Sequence, residues 1–354
     1  MPRPRWCQAD VGCRLMLNIA GQRIAITGAG GFIGAALCRA ASQHGAEVLA
    51  IGPGTVSSPC VTAIPARIET EAALAAHLDG VSILIHAAGR GTPTGIAALH
   101  DGLAMDELRL TAVVLEAACR AGVGRVVLVS SGGTVYGDPV DATPMAESHA
   151  LCPRSRYGAV KLLAEEMAWT VNRMGLVACV VARLSNPYGP GQVNRRGQGL
   201  IATVAACVQS GEPIEIWGDG TTVRDYLFID DATTGLLAAG LLPGGMAVNV
   251  SSGVGLQTRA VVADVLAQLG VEHPVRFRTD KHAGVASNIL SNVLLQTRTD
   301  WTPQIAWPDG LARTVRWWRR TSVEAVTGGN GHRERRTPVG TNAGLGLADD
   351  FSDC

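Results

Sequence analysis

The feature that most restricts the fold is an eight-residue run, Thr27-Gly28-Ala29-Gly30-Gly31-Phe32-Ile33-Gly34, set between a short apolar stretch and an amphipathic one. Its glycines at 28, 31 and 34 follow a predicted strand at 23–27 and open a predicted helix at about 33–43. Such a turn needs a residue without Cβ, a pyrophosphate can approach only bare backbone, and a helix N-terminus offers free N–H groups to an anion. A glycine triplet means little in a chain with 43 glycines. Its place between the first strand and the first helix gives it meaning. The competing reading is a tight strand–helix turn that binds nothing, and the position favours binding.

The same alternation continues. Predicted strands at 47–51, 83–86, 126–130 and 177–183 are separated by predicted helices at 103–120 and 156–174. Continuous apolar strands between amphipathic helices describe an α/β fold, a Rossmann-type doubly wound parallel sheet covered on both faces. Ligands of such sheets bind beyond the carboxyl ends of the strands. After Arg183 proline and glycine break the pattern, which predicts a smaller, interleaved C-terminal substrate lobe. The expected division is a disordered extension over 1–17 and a dinucleotide-binding domain over 18–185, to which 232–252 returns. The substrate lobe then takes 186–231 and 253–322, and 323–354 forms a disordered tail.

Composition narrows the function. Hydrophobic residues make up 47% and charged residues 17%, and thirty basic side chains balance thirty acidic ones. No basic excess points to nucleic acid or an anionic membrane surface, so an anionic ligand must be met by a few placed residues. The nine cysteines are scattered and form no CxxC pair, a pattern that suits a reducing cytoplasm and no metal site. No apolar run reaches the length of a membrane span, and residues 1–17 make a poor signal peptide. Met16 is an equally sensible start.

The second motif is Tyr157-Gly-Ala-Val-Lys161 on a predicted helix. Residues at i and i+4 share a helix face, so the ammonium can lie near the phenol. A nearby cation lowers a phenol pKa from about 10 toward the range of a general base. Most such pairs are a surface lysine beside a half-buried tyrosine. Here Lys161 and Lys281 are the only lysines among thirty basic residues. A lysine kept in a chain that otherwise uses arginine suggests work for a compact ammonium. All four tyrosines (Tyr136, Tyr157, Tyr188, Tyr226) lie in motif segments.

Together with SSGGTVYG at 130–137, RLSNPYGPGQ at 183–192 and RDYLFIDD at 224–231, these motifs resemble the extended short-chain dehydrogenases/reductases that modify nucleotide sugars. The resemblance runs from about Ile24 to Trp318. It implies Tyr157 as base, with Lys161 orienting the nicotinamide ribose. NAD would be held by Gly28, Gly31, Phe32, Ile33, Gly34, Ala87 and Ala88, beside Tyr157 and Lys161. Asn186 and Arg224 would meet the diphosphate of a nucleotide-sugar substrate. A planar guanidinium suits phosphate oxygens, although an ion pair with Asp225 or Asp230 is the plain alternative for Arg224. For Asn186 the alternative is a turn residue before Pro187. A homodimer and a cytoplasmic location are further expectations.

The chain also departs from the resembled pattern. The hydroxyl residue that assists the tyrosine is replaced by Gly132, so Thr134, or else Ser131, is expected to take over. The Asp-Glu pair of dehydratases is replaced by Gly133 and Thr134, which disfavours expulsion of water. The acidic residue after the second strand is Gly52 and that after the third is Arg67, so NADP is admitted beside NAD. No asparagine occurs between Asn18 and Asn172, so the usual one in the helix before the fifth strand is missing. His86 reads as structural, Trp317 and Trp318 as packing, and Arg195 and Arg196 as either cleft or solvated residues. The leading expectation is an epimerase of a UDP-hexose at C4. The alternatives are an NAD(P)H-dependent reductase of a 4-keto nucleotide sugar, and a non-catalytic dinucleotide- or sugar-nucleotide-binding protein.

Overall fold

The computed structural model describes residues 14–54, 58–65, 67–89, 102–139, 143–194, 199–278 and 285–327. Six strands come first along the chain: β1 (Arg23–Thr27), β2 (Glu47–Ile51), β3 (Val61–Ile64), β4 (Ile83–His86), β5 (Arg125–Ser131) and β6 (Ala178–Leu184). The chain then leaves for β7 (Asn186–Tyr188), β8 (Ile214–Trp217) and β9 (Val223–Phe228), and returns with β10 (Met246–Val250). The sheet order is β10-β6-β5-β4-β1-β2-β3, with every neighbouring pair parallel. This is the expected doubly wound sheet. Its strand order reverses between β1 and β4, so a crevice opens beyond Thr27 and His86, which are register partners.

Alternation along the strands divides the core. Ile24 and Ile26 of β1 face one cluster, with Leu37 and Ala41 of α1 (Phe32–Gln43), while Ala25 faces the opposite one. The helices in between are α2 (Glu71–Ala75), α3 (Leu103–Ala121), α4 (Gly132–Val135) and α5 (Arg156–Arg173). Leu110 and Val114 of α3, with Ala164 and Ala168 of α5, close the second face against Leu84, Val126 and Cys179. Each fully buried Leu, Ile or Val contributes about 1.5–3 kcal/mol. The second face therefore holds α3 and α5 firmly against the sheet.

The remaining helices are α6 (Leu200–Ser210), α7 (Ile229–Ala239), α8 (Thr258–Leu269), α9 (Val293–Arg298) and α10 (Trp307–Thr327). Strands β11 (Gly255–Gln257) and β13 (Ser287–Asn288) flank β9, which also pairs with β7, and β12 (Val275–Arg278) pairs with β8. Tyr188, Ile201, Ile214, Phe228, Val261 and Leu311 form a separate core for this part. Leu15 bridges Thr299 and the Leu17 N–H donates to Asp300, so pairing begins before residue 18. Helix α10 runs to Thr327, beyond 322. Arg195, Arg196, Lys281 and most of the expected tail lie outside the described residues.

Candidate active site

The glycine-rich turn is shaped by contacts that leave no room for side chains. Gly28 has φ +76°, and a Cβ there would come within 2.7 Å of the Ala88 backbone after β4. A Cβ on Gly34 would run into the Gly28 carbonyl, so α1 starts directly against the turn. Gly31 caps α1 without a side-chain hydrogen bond, and no acidic residue occupies the first turn. The helix end thus keeps its positive character for an anion.

Above this turn lies a cavity of about 630 Å³. Gly31, Phe32, Ile33 and Gly34 form one wall, and Ala87, Ala88 and Gly89 another. Ser131, Thr134, Tyr157 and Lys161 face it from β5, α4 and α5, and Asn186 and Arg224 from β7 and β9. Of the residues expected at the site, Gly28 alone is absent from this wall, because it lies behind the turn against Ala88.

Tyr157 is placed by the start of α5. The Ser155 hydroxyl accepts the Gly158 N–H at 3.1 Å, an N-cap. A Cβ on Gly158 would collide with the Thr134 carbonyl, so only glycine lets α5 begin this close to α4. One turn further on, the Lys161 ammonium lies 5.7 Å from the centre of the Tyr157 ring. It donates to Glu107 Oε1 of α3 at 2.6 Å, and the carboxylate side chain is 2% exposed. Burial by itself lowers the Lys161 pKa, but Tyr157 and Glu107 outweigh it, and the net shift is upward. Lys161 is therefore a fixed cation. Glu107 was not anticipated from sequence; the missing asparagine was the one available hint.

Gly132 does not face the cavity. A Cβ there would run into Leu290 and stand 3.1 Å from the Arg183 carbonyl. Gly133 does face it, and a Cβ at that position would lie 3.7 Å from Asn186 Oδ1. Ser131 and Thr134 present the neighbouring hydroxyls, and Thr134 Oγ1 donates to the Ser131 carbonyl at 3.3 Å. Behind them a buried network fixes β5, α5 and β6. Ser130 donates to Glu165 at 2.5 Å, Arg183 pairs with Glu165 at 2.8 Å, and Arg183 also donates to the Tyr136 hydroxyl at 3.0 Å.

At the other end, Asn186 Nδ2 donates to the Asp225 carbonyl at 2.8 Å. The Asp225 carboxylate accepts from Ser252 N at 2.9 Å, from Ser252 Oγ at 2.8 Å and from Gly253 N at 3.0 Å. Arg224, the preceding residue on β9, lines the cavity; burial lowers its pKa, so a bound anion would stabilise its charge. Ser185 Oγ also lines the cavity, is buried, and has no hydrogen-bond partner among the described residues. A bare glycine cradle, an uncapped helix end and an unsatisfied hydroxyl fit a dinucleotide with its pyrophosphate at Gly31–Gly34.

Gly52 stands where the resemblance places an acidic residue. Gly52 has φ +138°, which an aspartate would adopt only under strain. The Pro53 carbonyl packs on Gly30 of the turn. Arg67 lines a separate recess of about 250 Å³ with Arg109, Asp106 and Glu69. His86 is buried and bonds Thr27 Oγ1 at 2.8 Å; desolvation pulls its pKa down to about 4 despite the opposing effect of Glu107. It stays neutral and structural. Tyr136 and Tyr188 are core residues, 1% and 2% exposed, so of the four tyrosines Tyr157 is the one on the cavity wall.

These features agree with the comparisons. The profile of the NAD dependent epimerase/dehydratase family matches residues 24–250. A UDP-glucose 4-epimerase of Mycolicibacterium smegmatis is 32% identical over 213 residues, covering 60% of this chain and 68% of that protein. A dTDP-4-dehydro-6-deoxy-D-allose reductase of Streptomyces bikiniensis is 27% identical over 322 residues, covering 85% and 97%. Three other alignments take in 61–68% of the relative's length. The crystal structure of DesIV, a dTDP-glucose 4,6-dehydratase from Streptomyces venezuelae with NAD bound, superposes with a TM-score of 0.78 at 28% identity. It covers 85% of this chain and 98% of DesIV. The chain belongs to the NAD-dependent epimerase/dehydratase family of nucleotide-sugar enzymes.

Proposed function

We propose that this chain is a nucleotide-sugar 4-epimerase, acting on a UDP-hexose with NAD. The observation that carries the reading is the pairing of Tyr157 and Lys161 on a cavity whose described wall includes no carboxylate. Expulsion of water from the sugar requires an acid and a base. Here Gly133 and Thr134 leave only hydroxyls and bare backbone beside Tyr157.

Bound NAD supplies the hydride acceptor and donor. Tyr157 takes the proton of the sugar 4-hydroxyl and returns it after the 4-keto sugar has turned. Thr134, with Ser131 behind it, provides the hydroxyl next to the phenol. Lys161 holds the cofactor ribose and stabilises the phenolate. Arg224 and Asn186 anchor the diphosphate, so the sugar is free to present either face while its nucleotide stays fixed.

Purified protein should release NAD on denaturation, read by mass spectrometry, and should interconvert UDP-glucose and UDP-galactose without net NADH formation. Tyr157→Phe should keep the dinucleotide and lose the interconversion. Stoichiometric consumption of NAD(P)H with a 4-keto sugar would make the chain a reductase instead. A protein without dinucleotide and without turnover on any UDP-hexose pair would sink the proposal, and an unaltered Tyr157→Phe variant would make the chain a binder.

A further inference from the structure

The lysine beside Tyr157 does not act on it alone. The Glu107 carboxylate lies under the cavity with its Oε1 2.6 Å from Lys161 Nζ. Gly89 makes room for it, since a Cβ at that position would stand 3.3 Å from the same oxygen. The geometry points to Glu107 as a positioning residue that fixes the Lys161 ammonium on the cavity wall and offsets part of the positive charge felt by Tyr157. The inference rests on Tyr157 as the base, and not on the sugar or on the direction of reaction.

An ammonium has three donors, and a carboxylate that takes one leaves two for the cavity in a fixed orientation. A compact ion pair also has a weaker field than a lone ammonium, so the phenolate beside it is less favoured. Three charged or titratable side chains described near the pair have partners of their own. On β4 His86 is neutral and bonded to Thr27, and on α5 Glu165 is held by Arg183 of β6 and by Ser130 of β5. Arg154, on the cavity rim, is exposed and pairs with Asp138 at 3.5 Å. Among the described residues, Lys161 and Glu107 form the ion pair nearest Tyr157.

Phenolate formation in the protein without added substrate gives a direct measurement. Burial pushes Tyr136 and Tyr226 up to about 12 and Tyr188 up as well, and the ultraviolet difference signal that belongs to Tyr157 is the one lost on its replacement. Tyr157→Phe should erase that signal. Glu107→Gln keeps the shape and removes the charge, and should move the phenolate midpoint down by roughly one pH unit, with the acid limb of turnover following it. Glu107→Asp keeps the charge and should move it by less than about 0.3. A Gln midpoint within about 0.3 of wild type, or an Asp variant that shifts as far as Gln, overturns the inference.

Should the Gln variant not fold, Glu107→Asn is read in the same way. The titration needs no sugar substrate, so a failed epimerase assay leaves it interpretable.

Discussion

Restoring a serine at Gly132 tests why this chain lacks the hydroxyl expected there. The position is buried, and a Cβ would press on Leu290 and stand 3.1 Å from the Arg183 carbonyl. Leu290 has nowhere to go: it is 0% exposed and packed with Val135, Tyr136 and Met145. Its backbone is pinned too, since its carbonyl accepts from Ser251 at 3.0 Å and it bridges Met145. Overpacking of this kind costs about 1–3 kcal/mol, and a buried hydroxyl without a partner adds to it. We expect Gly132→Ser to lose about 2 kcal/mol, Leu290→Ala about 2–5 kcal/mol, and the double variant at least about 1 kcal/mol less than the sum. Urea unfolding midpoints at constant slope would measure all three. Turnover should not rise in Gly132→Ser, because the residue does not face the cavity. A serine variant as stable as wild type, or a strictly additive cycle, would refute the packing argument.

Two further outcomes follow from the site. Arg224→Ala should raise KM for the sugar nucleotide roughly 10–100-fold with little change in kcat, as expected for losing a charge-assisted contact made equally in ground and transition states. A fall in kcat at constant KM would show that Arg224 acts on the reacting atoms instead. His86 gives a pH dependence with a defined sign. Its folded pKa of about 4 lies below its ordinary 6.5, so the unfolded chain binds the proton first. Stability from this group is complete above pH 6.5 and is lost as pH falls toward 4, by about 3 kcal/mol in all. His86→Asn, which can keep a bond to Thr27 and cannot titrate, should flatten that part of the stability–pH curve; an unchanged slope would count against the assignment.

What the sequence determined by itself is local. The strand, glycine turn and helix at 23–43 follow from side-chain alternation and from backbone freedom at Gly28, both properties of neighbouring residues. The facing of Tyr157 and Lys161 follows from helix geometry. The tertiary structure decided the rest. Glu107 meets Lys161 across 54 positions, and no spacing rule links a residue of α3 to one of α5. Leu290 faces Gly132 only because β13 and the segment after it dock beside α4. The backbone at Gly52 is a consequence of the loop folding onto Gly28–Gly30. Side-chain partners between elements are set by how helices pack on the sheet, a long-range outcome of the whole core. Tyr157 and Lys161 were therefore legible in the sequence, and the carboxylate that shares the lysine was not.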